Sequence, residues 1–126
     1  MLDRFKPHTT LPVSDMERAK AWYAEKLGMK PVSEDPGGAW YESGGVSFAL
    51  FPTQFAGTAQ NTAMEWSVED IQAVITDLKE RGVVFDHYDM EGVDLDGDVA
   101  VMGPYKGCWF KDSEGNILAM TEKVEG

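Results

Sequence analysis

Apolar side chains recur at helical spacing in two segments of the chain. The first stripe consists of Met16, Ala19, Trp22, Tyr23 and Leu27, and the second consists of Ile71, Val74, Ile75 and Leu78. Ser14 stands at the N-cap position of the first segment, with Glu17 three residues later, and Gly28 follows the last apolar residue. Gly82 follows the second stripe in the same way. The pattern predicts two amphipathic helices that lie on a sheet.

Short apolar runs between turns rich in glycine and aspartate predict the strands of that sheet. They cover residues 29–35, 38–43 and 45–51, then 83–89, part of 98–110, and 116–122. A further strand precedes each helix, because residues 8–28 resemble residues 63–82, with Asp15 and Asp70 each seven positions into its segment. Residues 44–51 likewise resemble residues 114–121. The chain therefore repeats one βαβββ unit.

The repeat predicts a single domain over residues 1–126 that is built from two modules. The first module covers about residues 1–52, a linker covers about 53–61, and the second module covers about 62–126. Residues 91–98 contain three aspartates and two glycines, which predicts a mobile loop. Residues 94–98 lack the twelfth-position glutamate and the flanking helices of a calcium-binding loop, so we interpret them as a solvated turn.

Composition narrows the range of partners. The chain has 126 residues, with 22 acidic and 11 basic side chains, and a formal net charge of −11. Binding to nucleic acid or to an anionic membrane surface is not expected, because both depend on cationic side chains. No apolar run approaches the length that spans a bilayer. The single cysteine, Cys108, cannot form an intrachain disulfide, so a reducing compartment is favoured and the cytoplasm is the expected location.

Two motifs carry a resemblance to a known family. They are His8-x-x-Leu11-x-Val13-x-Asp15 with Ala21-Trp22-Tyr23 and Leu27-Gly28 after it, and the run from Trp109 to Leu118. Through them, nearly the whole chain resembles the vicinal oxygen chelate superfamily, which includes glyoxalase I, the bleomycin resistance proteins and the extradiol dioxygenases. The resemblance implies one glyoxalase/bleomycin-resistance-like domain of the α+β class. In that fold two tandem βαβββ modules form a concave mixed sheet with the helices on its outer face.

The same resemblance implies four metal-ligand positions in the metal-dependent members of the family. They fall on His8, Ala49, Ala63 and Ala119 of this sequence. A methyl group donates no electron pair, and a catalytic metal site usually needs three protein ligands. We therefore expect no metal and no other cofactor. His87 and Glu65 could build a different metal site, and a metal-dependent glyoxalase- or dioxygenase-like enzyme stays an alternative if the ligand alignment is wrong.

Strand alternation assigns side chains to the inner face of the sheet. Leu11 and Val13 are expected beneath the first helix, and Trp22, Tyr23 and Trp66 are expected in the core. The candidate ligand-binding residues are His8, Thr10, Trp40, Ala49, Phe51, Ala63, Glu65, Tyr105, Trp109 and Ala119. Such an apolar and aromatic space with few polar groups is typical of small-molecule sites.

Three functions stay open at this point. The first is a metal-independent binding protein of the bleomycin resistance type that sequesters an aromatic or cationic small molecule, which the negative charge would attract. The second is a metal-independent lyase, isomerase or hydrolase with His8 and Glu65 as catalytic acid and base. The third is a protein-interaction module whose cavity is collapsed. The resemblance further implies a homodimer, because family members pair modules within or between chains.

Overall fold

The computed structural model of the protein describes residues 1–123. The first module has a short 3₁₀ helix (Leu2–Arg4), one α-helix and four strands: β1 (Thr9–Val13), α1 (Met16–Leu27), β2 (Ser33–Asp35), β3 (Gly38–Ser43) and β4 (Val46–Pro52). The second module has β5 (Thr62–Ser67), α2 (Ile71–Glu80), β6 (Phe85–Asp86), β7 (Asp94–Asp96), β8 (Val99–Met102), β9 (Tyr105–Lys111) and β10 (Ile117–Lys123).

The strands form two sheets of the same design. The order is β1-β4-β3-β2 in the first sheet and β5-β10-β9-β8-β7 in the second, where β6 also pairs with β9. β1 is parallel to β4 and β5 is parallel to β10, whereas the neighbouring pairs are antiparallel. The two sheets contact each other between β1 and β5. The predicted α+β class with two tandem βαβββ modules is confirmed.

The helices cover one face of these sheets, and the core lies between the helices and the sheets. Leu11, Tyr23 and Leu50 are fully buried in the first module, and Phe110 and Leu118 are fully buried in the second. Tyr23 lies in the core as expected, whereas Trp22 and Trp66 are half-buried and pack against it, and Cys108 is buried. We use "inner face" below for the face of each sheet that points away from the helices.

The N-cap of α1 differs from the one predicted. Asp15, rather than Ser14, has the extended backbone of a cap and accepts a hydrogen bond from the Arg18 N–H at 3.1 Å. The hydroxyl of Ser14 instead donates to Glu114. Gly28 ends the helix as predicted, with a left-handed φ of 68°. The cap of α2 is the equivalent residue in the repeat, Asp70, which accepts from the Ala73 N–H at 3.1 Å.

The second module departs from the predicted elements. The strand expected over residues 83–89 is reduced to β6, because β8 pairs with the rest of the same edge of β9. Residues 91–98 are not loop throughout, since β7 lies within them and pairs with β8. Gly97, with a φ of 63°, makes the turn between these two strands. In the first module the strand expected over residues 29–35 forms only from Ser33 onwards.

Residues 112–116 form a buried polar turn, called here the closing turn, that joins the two modules. The Glu114 carboxylate accepts hydrogen bonds from the backbone N–H groups of Ser14 (2.9 Å) and Asp15 (3.0 Å), and from Arg18 Nε (2.8 Å). Asp112 accepts a hydrogen bond from the Tyr23 hydroxyl at 2.7 Å. The closing turn therefore holds the start of α1 against the last hairpin of the second module.

Candidate functional site

The inner face of the first module presents a small residue between a hydroxyl and an indole. Thr10 of β1 pairs with Ala49 of β4, and Ala49 pairs in turn with Trp40 of β3. A cavity of about 420 Å³ lies over this row and is also lined by Phe51. Gly38 lines its far side, where any Cβ would collide with the carbonyl oxygen of Leu50. Glycine is therefore required at this strand position, and Ala49 contributes only a methyl group to the lining.

His8 stands just before β1 and packs against this row. The centroid of its ring lies 4.6 Å from that of Trp40, with an angle of 59° between the ring planes. The imidazole is exposed, and it makes no hydrogen bond within residues 1–123. The contact of His8 with Trp40 is thus an aromatic packing contact and not a hydrogen bond.

The inner face of the second module repeats the arrangement with a carboxylate. Glu65 of β5 pairs with Ala119 of β10, and Ala119 pairs with Trp109 of β9. A cavity of about 460 Å³ lies over this row and is lined by Ala63 as well. Since β1, β4 and β3 correspond to β5, β10 and β9 in the repeat, Glu65 occupies the position equivalent to Thr10. We call the two cavities the first and second inner cavities.

The structure divides the predicted site residues between these cavities. Thr10, Trp40, Ala49 and Phe51 line the first, with His8 beside it, while Ala63, Glu65, Trp109 and Ala119 line the second. The lining residues of the two cavities do not overlap. Tyr105 lies apart, 45% exposed, in a neighbouring cavity that shares Thr121 with the second inner cavity.

Sequence reasoning missed several side chains of the second inner face. Asp86 pairs with Trp109 across β6 and β9, and its carboxylate lies 3.4 Å from Lys111 Nζ. Tyr88 packs edge-on against Trp109, with ring centroids 5.5 Å apart. Met102 lines the cavity from β8. Alternation from Trp109 would have found Lys111, but the position of Asp86 depends on a strand pairing that the sequence does not display.

His87 is occupied elsewhere. Its Nε2 lies 2.7 Å from a carboxylate oxygen of Asp98, which also forms an ion pair with Lys79. The hydrogen bond from Lys79 lowers the pKa of Asp98; burial opposes this shift, and the contact with His87 adds to it. Neither His87 nor Asp98 lines an inner cavity. His87 and Glu65, which could have built a different metal site, are thus not in contact.

With this geometry established, comparison with known proteins places the chain in a family. A family model described as "Glyoxalase/Bleomycin resistance protein/Dioxygenase superfamily" matches residues 7–120. The chain belongs to this superfamily. No curated protein matches this glyoxalase-superfamily chain.

Solved structures with the same fold share little of its sequence. A glyoxalase/bleomycin resistance protein/dioxygenase from Alicyclobacillus acidocaldarius has a TM-score of 0.72 at 17% identity, covering 96% of this chain and 92% of that one. TnmS3, an antibiotic binding protein from Streptomyces sp. CB03234, has a TM-score of 0.66 at 21% identity, with 95% and 96% coverage. The fosfomycin resistance protein FosX from Listeria monocytogenes has a TM-score of 0.69 at 12% identity, with 95% and 93% coverage.

The residues of this superfamily member do not fit the metal that its fold family implies. The four implied ligand positions hold one imidazole and three methyl groups, and Ala49 lies on a different inner cavity from Ala63 and Ala119. Within residues 1–123 no group of three or more histidine, cysteine, aspartate or glutamate side chains could hold a metal ion. Over the same residues, no helix is long and apolar enough to span a membrane.

Proposed function

We propose that this protein binds an aromatic, positively charged small molecule without a metal ion. The observation that supports this most strongly is the repeated cross-strand pair of tryptophan and alanine. Trp40 faces Ala49 in the first module, and Trp109 faces Ala119 in the second. In each pair the methyl group occupies little of the cavity that the neighbouring indole lines, so a ligand ring can pack beside the indole.

Charge supports a cationic ligand. An indole face attracts a cation by about 0.5 to 2 kcal/mol per contact, depending on how far the pair is desolvated. Glu65 adds a carboxylate beside Ala119, and the net charge of −11 raises the local concentration of cations while it repels anions. Each of these effects favours a cation over a small anion such as phosphate.

Two proteins with the same fold have related functions: TnmS3 is an antibiotic binding protein, and FosX is a fosfomycin resistance protein. Their identities of 21% and 12% carry the fold alone, so the proposal for this chain depends on its own inner faces. The alternative of an enzyme with His8 and Glu65 as acid and base has less support. The two side chains belong to different modules and share no hydrogen bond within residues 1–123.

We also propose that two copies associate. The superfamily resemblance implies a homodimer, in which the inner face of one module would lie opposite a module of the second copy. The cytoplasm stays the proposed location, on the basis of the single cysteine.

A thermal-shift screen of planar aromatic cations against phosphate and other small anions tests the proposed function. A ligand at 100 times its Kd stabilises a protein by about 2.7 kcal/mol, which moves the melting midpoint of a small domain by several degrees. We expect the hits to be aromatic cations and to weaken in Trp40→Ala and Trp109→Ala.

Phe55→Ala is the matched control, because Phe55 is 67% exposed and lines neither inner cavity. A hit set dominated by anions would refute the proposal. Hits that are indifferent to both tryptophan variants would show that binding occurs elsewhere. Elemental analysis of the purified protein completes the test: one tightly bound equivalent of zinc, nickel, iron or manganese would overturn its metal-free part.

A further inference from the structure

A separate cleft opens between the two modules of a single chain. The first and second sheets contact each other between β1 and β5 but are not hydrogen-bonded into one sheet. At the start of β4, where it faces the middle of β5, the space between them forms a cleft of about 380 Å³. We call it the seam cleft. It lies outside the first inner cavity, with which it shares no lining residue.

The lining of the seam cleft combines apolar side chains, among them Phe48 and Trp66, with several hydrogen-bond acceptors. It contains the hydroxyl groups of Thr9, Ser43, Ser47 and Ser67 and the carboxylate of Glu65. Ser43 already accepts a hydrogen bond from the indole N–H of Trp66 at 3.1 Å. Within residues 1–123 the side chains of Thr9, Ser47 and Ser67 have no hydrogen-bond partner.

The charge of the lining has one sign. No lysine or arginine lines the cleft, and Glu65 forms no ion pair within the described part of the chain. An ammonium group has three donors and no acceptor, so it matches a carboxylate surrounded by hydroxyl oxygens. An anion would meet Glu65 without any compensating cation.

Glu65 connects the cleft with the second inner cavity. Of the residues that line the seam cleft, Met64 and Glu65 also line the second inner cavity, where Trp109 lies. A molecule with its ring beside Trp109 can therefore extend a short substituent past Glu65 towards Ser47 and Ser67. Ala119, which pairs with Glu65, contributes only a methyl group at this point.

We infer that the seam cleft binds the primary ammonium group of the aromatic cation, with Glu65 as its counter-ion and the serine hydroxyls as additional acceptors. This inference rests on the proposed function, because the aromatic part of the ligand occupies the second inner cavity. It specifies where the ammonium group binds and the chemical class of the ligand, which is a planar ring that carries a primary amine on a short chain.

Calorimetric titration with two probes tests the inference. Tryptamine carries an indole and a primary ammonium group, and 3-methylindole carries the ring without the charge. Tryptamine should bind at least tenfold more tightly at low salt, and Glu65→Gln should bring the ratio of the two affinities close to one. Glu25→Gln, an exposed position on α1 that lines neither the cleft nor an inner cavity, is the control for the change in net charge.

A second variant locates the ammonium group. Ser47 lines the seam cleft and neither inner cavity, so Ser47→Phe should block the cleft and weaken tryptamine about tenfold without affecting 3-methylindole. Ser33→Phe places the same ring on an exposed strand away from the cleft. If Ser47→Phe does not fold, Val46→Trp, at a 63% exposed position of the cleft mouth, takes its place.

The outcomes separate the two proposals. If neither probe binds, or if Trp109→Ala leaves both affinities unchanged, the proposed function fails and the inference fails with it. If both probes bind through Trp109 but tryptamine has no advantage, the inference alone is overturned. It is also overturned if the advantage disappears in Glu65→Gln but survives in the cleft-blocking variant, because the ammonium group then lies on the cavity side of Glu65.

Discussion

The carboxylate of Glu114 accepts hydrogen bonds from several neighbouring groups, and these groups determine the pH range in which it is charged. Burial raises its pKa, but the hydrogen bonds from Arg18, the Asp15 N–H, Ser113 and the Ser14 N–H outweigh that effect and lower the pKa to about 2. Its side chain is fully buried, whereas that of Arg18 is half exposed. The anion is therefore stabilised mainly by donors that the fold positions around it.

Replacing Glu114 with glutamine should destabilise the protein by on the order of 2 kcal/mol, because a neutral amide makes weaker hydrogen bonds with Arg18 and the two backbone donors. Urea unfolding measures the change in the free energy of unfolding. Glu25→Gln should leave this free energy within about 0.5 kcal/mol of the wild-type value. Equal effects from the two variants would mean that the closing turn adds no stability.

The same carboxylate predicts how stability depends on pH. The folded-state pKa of Glu114, about 2, lies below its ordinary value of 4.5, so its contribution is fully present above about pH 4.5 and is lost as the pH falls towards 2. The wild-type protein should lose stability over this window more steeply than Glu114→Gln. Parallel pH profiles for the two proteins would contradict the assignment.

At the scale of elements, the two helix caps are equivalent residues of the repeat. Asp70→Ala removes the oxygen that accepts the Ala73 N–H and should destabilise the protein by about 1 kcal/mol. Glu69→Ala, one residue earlier and exposed, should have little effect. Thermal and urea unfolding compare the stabilities of the two variants. A larger loss of stability in Glu69→Ala than in Asp70→Ala would show that Asp70 is not the N-cap of α2.

The sequence predicts elements well where periodicity and local chemistry agree. Both helices and the hairpins β3–β4 and β9–β10 follow from apolar spacing and glycine turns, as does the alternation that places Ala49 and Ala119 on the inner faces. β7 escaped prediction because its acidic residues indicate a turn, whereas its pairing with β8 makes it a strand. The choice between Ser14 and Asp15 as cap depends on Glu114, a hundred residues away.

At the scale of the whole molecule, the sequence does not determine how the two modules lie against each other. It places most of the candidate residues on strands but misses Asp86, Tyr88 and Met102. The division of the candidates into two separate rows follows from how β1 and β5 lie against each other. The seam cleft is likewise invisible in the sequence, because Thr9, Ser47 and Glu65 come from three strands in two modules.

The proposed homodimer predicts the mass of the particle in solution. Light scattering at micromolar concentration should give twice the chain mass of 13.9 kDa. If the second copy completes an inner cavity in the proposed dimer, dilution below the dissociation constant of the dimer should also weaken the binding of an aromatic cation. A 13.9 kDa particle at micromolar concentration would contradict the homodimer, and affinity that is independent of protein concentration would show that one chain suffices.

The placement of the four tryptophans has an optical consequence. Trp22 and Trp66 pack against the core, while Trp40 and Trp109 stand on the inner faces, one in each module. A bound ring on an inner face would therefore quench only part of the intrinsic fluorescence, above a background from Trp22, whereas Trp66 also lines the seam cleft. With Trp40→Phe or Trp109→Phe, three tryptophans still emit, and any quenching that survives reports from the inner face of the module that keeps its tryptophan. The protein thus carries its own pair of spectroscopic probes, and the variant in which quenching disappears identifies the module that the ligand occupies.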